Sequence, residues 1–226
     1  MKAFRTLLTL AGLMAAITFV PAQAQPQQQQ QPPPQNPPAG QPPAGQRGGG
    51  GGGRGGRGAI QIMTITAPWQ PGGVIPDKHS QAGRDVSPAL SWDGAPDTTM
   101  SFALVVHDLN AATQPGTNDV LHWLVWNIPA SERSLPEGVS QGAQAANGMR
   151  QISQTGPYYR GPAAPASGPA HHYVFELYAL DSTIDVPAVG AQGVTVADTR
   201  AAVLKAMETH VRGKAVIVGT YKRPAS

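Results

Sequence analysis

Cysteine is absent from the 226 residues of this sequence. Its absence excludes disulfides, thiolate nucleophiles, and zinc or iron–sulfur sites that depend on cysteine ligands. Any folded domain must therefore be held together by core burial alone. Residues 59–226 are long enough to bury such a core within one domain.

Common catalytic motifs are also missing. The sequence has no G-x-S-x-G elbow, no Walker A loop and no H-E-x-x-H pair. Ser91, in the stretch LSWDG, is better explained as a turn or strand-edge residue than as a nucleophile. The sequence thus favours a protein that is not an enzyme, without catalytic residues, metal or cofactor.

No apolar run reaches the roughly 20 residues that a membrane-spanning helix needs. The N-terminal run, Leu7–Val20, is shorter and follows the positive charges of Lys2 and Arg5. It precedes an A-x-A cleavage site at residues 22–24. Residues 1–24 are therefore predicted to be a signal peptide, cut before Gln25. We expect a periplasmic or secreted protein with no stable membrane insertion after cleavage.

Residues 25–58 are low in complexity and almost lack apolar side chains. Gln and Pro dominate the first half, and Gly with Arg dominates the second. Such a segment cannot bury enough surface to offset the entropy lost on ordering. We therefore interpret it as a disordered linker, although weak adhesion to anionic polymers stays open.

Acidic residues are confined to the part of the chain beyond residue 58. All 13 lie there, together with 11 of the 16 Lys and Arg residues, so residues 59–226 carry a formal charge of −2. The basic balance of the whole chain therefore comes from its N-terminal part. No basic surface for nucleic-acid binding is predicted.

Strand patterns dominate residues 59–226. Alternating or β-branched and aromatic runs predict strands over residues 60–66, 101–107, 121–128, 173–180 and 215–221. One helix is predicted over residues 199–211, with Asp198 as its N-cap and Gly213 just past its end. The order predicts a mostly β fold, an antiparallel β-sandwich with peripheral helices, one near the C-terminus.

Polar residues at strand ends are the candidates for a site. Asp108 follows one apolar run, His122 opens another, and His171 and His172 open a third. Adjacent strand residues point to opposite faces, so one of the two histidines can join the site, and His171 is favoured. Such a cluster suits a small anionic ligand.

Two other interpretations of these residues stay open. Each can be a structural residue with its hydrogen bonds satisfied inside the fold. Asp108, His122 and His171 also form a two-His-one-carboxylate set, although their spacing does not require a metal. The remaining histidines, His79, His107 and His210, are expected at the surface.

Several collinear segments of the sequence resemble the phosphatidylethanolamine-binding protein family, which includes the Raf kinase inhibitor proteins, and its bacterial branch in particular. These segments, which together span nearly all of residues 59–226, are GGVIPDKHSQAGRDVSPALSWDGAP (72–96), TTMSFALVVHDLNA (98–111), HWLVWNIPA (122–130), YRGPAAPASGPAHHYVFELYALD (159–181) and LKAMETHVRGKAVIVGTYKR (204–223).

The resemblance implies a β-sandwich with a small pocket for phosphate-type anions. The family's pocket motifs fall on seven residues, which we take as the candidate ligand-binding set: Asp108, His122, Gly161, Pro162, Pro165, His171 and Tyr173. Five positions depart from the motifs. Leu109, Ala112 and Ala164 stand where the family has Pro, Asn110 stands where it has Asp, and His172 stands where it has Arg.

The function that the resemblance implies is binding of a phosphate-type anion or phospholipid head group, with a protein partner as a further possibility. Two alternatives stay open: a protease inhibitor that acts through its surface, and a small-molecule hydrolase or lyase that uses His122 and Asp108. An exported protein would not meet a Raf-like kinase, so kinase inhibition is not expected.

Overall fold

The protein is described from a computed structural model, which describes residues 59–112, 118–187 and 194–225. The predicted signal peptide and linker, residues 1–58, lie outside the described residues. Nine strands, a 3-10 turn at Asp77–His79 and one α-helix make up the elements described. The strands are β1 (Gln61–Ile62), β2 (Thr64–Thr66), β3 (Leu90–Asp93), β4 (Ser101–Ala112), β5 (Asp119–Pro129), β6 (Ser134–Leu135), β7 (Arg150–Ile152), β8 (His171–Leu180) and β9 (Val211–Tyr221), and the helix is α1 (Val196–Met207).

The strands form two sheets, as the sequence predicts. The larger sheet has six strands in the order β1-β9-β8-β4-β5-β7, and the smaller has three in the order β2-β3-β6. Pairing among these strands is antiparallel except for β1 with β9, which run parallel. The predicted mostly β sandwich is confirmed.

Two apolar layers lie on opposite faces of the six-stranded sheet. The layer between the sheets combines side chains such as Phe102, Trp123 and Phe175 with Trp92 of the smaller sheet. The other layer lies under the helix and includes residues such as Trp126. Burial on both faces explains why the central strands read as nearly continuous apolar runs.

The first predicted strand, residues 60–66, proves to be two strands in different sheets. β1 pairs with β9, whereas β2 pairs with β3. Met63 lies at the crossing, and its N–H donates to the Lys214 carbonyl at 2.9 Å. The predicted alternation is nevertheless correct, because Met63 and Ile65 are buried while Ile62 is exposed.

The helix begins three residues earlier than predicted. Thr195, not Asp198, is its N-cap, and the two form a capping box in which the Thr195 hydroxyl accepts from the Asp198 N–H at 3.1 Å. In the reciprocal hydrogen bond, the Asp198 carboxylate accepts from the Thr195 N–H at 3.0 Å. Val211, assigned by pattern to the helix, instead opens β9. Val203 and Met207 are buried, as expected of the apolar face.

Candidate functional site

The candidate site forms where β4, β5 and β8 lie side by side. Asp108 on β4 stands directly opposite Tyr173 on β8 and Val120 on β5. Asp108 and Tyr173 are both buried, at 3% and 1% exposure. Residues that stand opposite each other on paired strands place their side chains on the same face of the sheet. The pairing of β4 with β8 therefore brings the polar groups of Asp108 and Tyr173 together.

His122 reaches the same face through a β-bulge. Val106 pairs with Trp123 and His107 with Leu121, which leaves His122 as an extra residue without a partner on β4. Strict alternation would send His122 and Trp123 to opposite faces, whereas a bulge lets both side chains turn toward the inter-sheet side. Trp123 packs in that layer, and His122 lines the cavity beside it.

The His122 ring is fixed by a backbone carbonyl. Its Nδ1 lies 2.7 Å from the Arg160 carbonyl oxygen, which can only accept, so Nδ1 carries the proton. The other ring nitrogen, Nε2, is then an acceptor in the neutral imidazole. Burial lowers the pKa of His122, and the nearby Arg160 charge lowers it further. The histidine is therefore neutral at pH 7.

Asp108 holds a second histidine. Its Oδ2 lies 2.8 Å from Nδ1 of His171, and its Oδ1 accepts from the Asn110 N–H at 2.8 Å. His172, the neighbour of His171, is exposed and its Nδ1 lies 3.0 Å from the Asn110 side chain. The structure thus places His171, and not His172, in the lining of the cavity.

Tyr173 links the two histidines to the loop that precedes β8. Its ring meets that of His122 edge-on at 5.0 Å and lies 6.5 Å from that of His171. The hydroxyl accepts from the Ala163 and Ala164 N–H groups, each at 3.2 Å. Burial raises the pKa of Tyr173, and the neighbouring Asp108 carboxylate raises it too, so the phenol stays protonated.

These side chains line a cavity of about 300 Å³. Of the seven residues expected at the site, Asp108, His122, Pro165, His171 and Tyr173 line it. The rest of its lining is Gln81, Ala111, Val120, Arg160, Ala163 and Ala164. Arg160 was not identified from the sequence, because its loop has no periodicity and it precedes the residues of the family motif that begins at Gly161.

Gly161 and Pro162 lie behind the cavity lining rather than in it. The Gly161 N–H donates to Asp85 Oδ1 at 2.7 Å, and the Pro162 carbonyl accepts from the Gln81 N–H at 3.0 Å. A β-carbon on Gly161 would overlap the His79 carbonyl oxygen and lie 2.6 Å from Asp85 Oδ1. Both residues therefore anchor the loop that closes the cavity.

Two histidines expected at the surface are inside the fold. His79 is fully buried, and its Nδ1 lies 2.7 Å from the Val86 carbonyl oxygen. His107, largely buried, lies between the carboxylates of Asp119 and Glu176. The surface expectation was wrong for both because their burial depends on distant segments of the chain. His210 is partly exposed and pairs with Asp181.

In residues 59–112, 118–187 and 194–225, no group of three or more His, Asp or Glu side chains is arranged to hold a metal ion. Within the same ranges, no helix has the length and apolarity needed to cross a membrane.

A two-sheet sandwich with a histidine-lined cavity at its strand ends defines a β-rich ligand-binding fold. Residues 66–222 match the family described as phosphatidylethanolamine-binding protein, and the chain belongs to that family. The expectation drawn from the sequence motifs is thereby confirmed.

Three similar proteins illustrate the relationship. The UPF0098 protein of Methanothermobacter thermautotrophicus is 37% identical over 153 residues, which is 67% of this chain and 92% of that protein. The UPF0098 protein YbhB of Escherichia coli is 38% identical over 136 residues, 55% of this chain and 82% of that protein. A crystal structure of a phosphatidylethanolamine-binding protein homologue from Chlamydia trachomatis has a TM-score of 0.57 and 28% identity, and the match covers 73% of this chain and 99% of that one.

Proposed function

We propose that this protein is an exported binding module whose cavity takes a small phosphate-type anion, either free or as a phospholipid head group. The observation that carries the proposal is the convergence of His122, His171 and Tyr173 with Asp108 on one cavity of about 300 Å³. That volume suits a small group rather than an extended chain. The name of the family supports the choice of a phosphate-bearing ligand.

The chemistry of the cavity suits an oxyanion when His171 is protonated. Its Nδ1 is committed to Asp108, which leaves the Nε2–H free to donate. A hydrogen bond from a charged donor to a phosphate oxygen is stronger than a neutral one. Asp108 supports the ligand indirectly, by orienting the ring and stabilising its charge.

Export is the part of the proposal that rests on the sequence alone. The charged start, apolar run and Ala22-Gln23-Ala24 site occur in the order of a secretory signal. An exported anion-binding protein would meet phosphate compounds and lipid head groups of the cell envelope.

Calorimetric titration of inorganic phosphate and of phosphoethanolamine tests the binding function. Replacing His122 by Ala removes a cavity wall and the neutral Nε2, which can accept a hydrogen bond from a phosphate O–H, so we expect binding to weaken by roughly 0.5–1.5 kcal/mol, the range for an ordinary hydrogen bond. His210→Ala is the matched control, because His210 lies outside the cavity. Equal affinities in the wild type and His122→Ala would place the ligand elsewhere, and turnover of esters or phosphoesters under the same conditions would favour an enzyme.

A further inference from the structure

Two hydrogen bonds join the backbone of Arg160 to His122, one donated and one accepted by Arg160. The Arg160 N–H donates to the His122 carbonyl at 3.0 Å, and the Arg160 carbonyl accepts from His122 Nδ1 at 2.7 Å. This pair of bonds fixes the Arg160 backbone against the bulge of β5. The loop therefore presents Arg160 to the same cavity that His122 lines.

The guanidinium group of Arg160 has no partner of its own. Within the described part of the chain, no hydrogen bond, ion pair or aromatic ring engages it. The other partly buried arginines of the described residues differ, since Arg150 donates to the Val186 carbonyl, Arg200 pairs with Asp119, and Arg212 pairs with Asp181. Arg160 itself is partly buried and lines the cavity, so the donors of its guanidinium are available to an external oxyanion.

The charge balance of the cavity requires such a cation. Asp108 contributes a negative charge at its wall, and His122 is neutral at pH 7 because burial lowers its pKa. Protonated His171 at most neutralises the carboxylate to which it is bonded. Without a further positive charge, the cavity would have no net attraction for an anion near neutral pH.

We propose that Arg160 is a ligand-binding residue that supplies the permanent positive charge of the cavity and selects oxyanions with two adjacent oxygens, such as phosphate groups. A guanidinium matches such a pair of oxygens with two parallel hydrogen bonds, whereas an ammonium group acts as a point charge. This inference rests on the proposed anion-binding function and adds the source of its charge.

The test compares four proteins: the wild type, Arg160→Gln, Arg160→Lys and Lys205→Gln. Lys205→Gln removes the same charge from the exposed side chain of Lys205 on α1, outside the cavity, and controls for net charge. Each protein is titrated calorimetrically at pH 7 with inorganic phosphate and with phosphoethanolamine, at low and high salt. Tighter binding of inorganic phosphate by the wild type would indicate a free phosphate ligand, and tighter binding of phosphoethanolamine would indicate a lipid head group.

For each probe that binds the wild type, Arg160→Gln is expected to weaken binding at least tenfold and to flatten its salt dependence. Arg160→Lys should recover part of the loss, because it keeps the charge but not the paired donors. Lys205→Gln should bind like the wild type. Melting curves verify folding, which the backbone bonds of Arg160 should preserve.

Two contrary outcomes are distinct. If the wild type binds a probe and Arg160→Gln binds it equally well, Arg160 is not a ligand residue, while the anion-binding function stands. If the wild type binds neither probe, the proposed function fails and this inference fails with it.

Discussion

The indole N–H of Trp123 donates to the Gln151 side-chain oxygen at 2.8 Å, beneath the bulge that turns His122 into the cavity. Both side chains are buried, and the Gln151 amide nitrogen donates onward to the Ser140 and Gly142 carbonyls at 2.7 and 3.0 Å. One glutamine therefore ties β5 and β7 to the loop before β7. A buried donor without a partner is costly. Gln151 therefore holds Trp123, the neighbour of His122, in its position at the bulge.

Replacing Gln151 by Leu should lower the free energy of unfolding by roughly 2 kcal/mol or more, because it leaves the Trp123 N–H buried and unpaired. Urea denaturation measures the change. Gln154→Leu is the matched control, since Gln154 is exposed, and it should stay within about 0.5 kcal/mol of the wild type. Equal stability of both variants would mean that water replaces the lost partner.

Replacing Gly161 by Ala should disrupt both stability and ligand binding. The new β-carbon would overlap the His79 carbonyl oxygen, which is backbone and cannot turn aside. The loop that carries Arg160 and Pro165 must then shift. In Gly168→Ala, the nearest atom to the new carbon is 4.0 Å away, so this variant should melt and bind like the wild type. An unaltered melting temperature in Gly161→Ala would contradict the anchoring role.

Stability should depend on pH through the cluster around His107. Burial alone would lower the pKa of His107, but hydrogen bonds to Glu176 and Asp119 outweigh it and raise the pKa. A raised pKa means that this stabilisation is full below about 6.5, the unfolded value, and is lost as the pH rises through the folded value. The wild type should therefore exceed His107→Gln in free energy of unfolding by less at pH 9 than at pH 6. Urea denaturation measures this difference. A difference that stays constant would count against a charged His107.

Glu176 in the same cluster gives the opposite trend. The hydrogen bond from His107, aided by Lys214, lowers the pKa of Glu176 to about 2. Its stabilising contribution is therefore present above about 4.3, the unfolded value, and is lost as the pH falls towards the folded value. In Glu176→Gln, the loss of stability relative to the wild type should be largest near neutral pH and smallest near pH 2. A loss that does not vary between these limits would show that Glu176 acts only through packing.

Anion binding should strengthen when His122 becomes protonated, and this should happen at a lower pH than the protonation of a free imidazole. A free histidine titrates near about 6.5, whereas burial lowers the pKa of His122. The gain from a cationic His122 therefore appears only below that value. Titration of sulfate, which keeps its charge over the range, from pH 7.5 to pH 4.5 should show this gain in the wild type and not in His122→Ala. Identical pH profiles for both proteins would assign any gain to another group.

In a protein that lacks residues 1–24, deleting residues 25–58 should leave the melting temperature nearly unchanged. The segment is almost devoid of apolar side chains that a core would bury. Differential scanning calorimetry of the two forms makes the comparison. A fall of more than a few degrees would show that the linker packs on the domain.

The sequence alone determined the features that depend on local pattern. The alternation at Met63 and Ile65, the long apolar runs of β4, β5 and β8, and the apolar face of α1 are properties of neighbouring residues, and the structure agrees with them. The polar residues that interrupt those runs pointed to Asp108 and His122. The family motifs added Pro165 and Tyr173, which also line the cavity.

Only the tertiary structure decided which side chains meet. The extra residue at His122, the crossing of Met63 between sheets, and the buried positions of His79 and His107 all follow from pairing with strands or turns far along the chain. Arg160 is the clearest case, because it precedes the motif residues Gly161 and Pro162 but no local pattern assigns it to the site. Its place at the cavity arises from two hydrogen bonds to His122, which is 38 residues away, and such long-range contacts leave no periodic trace in a sequence.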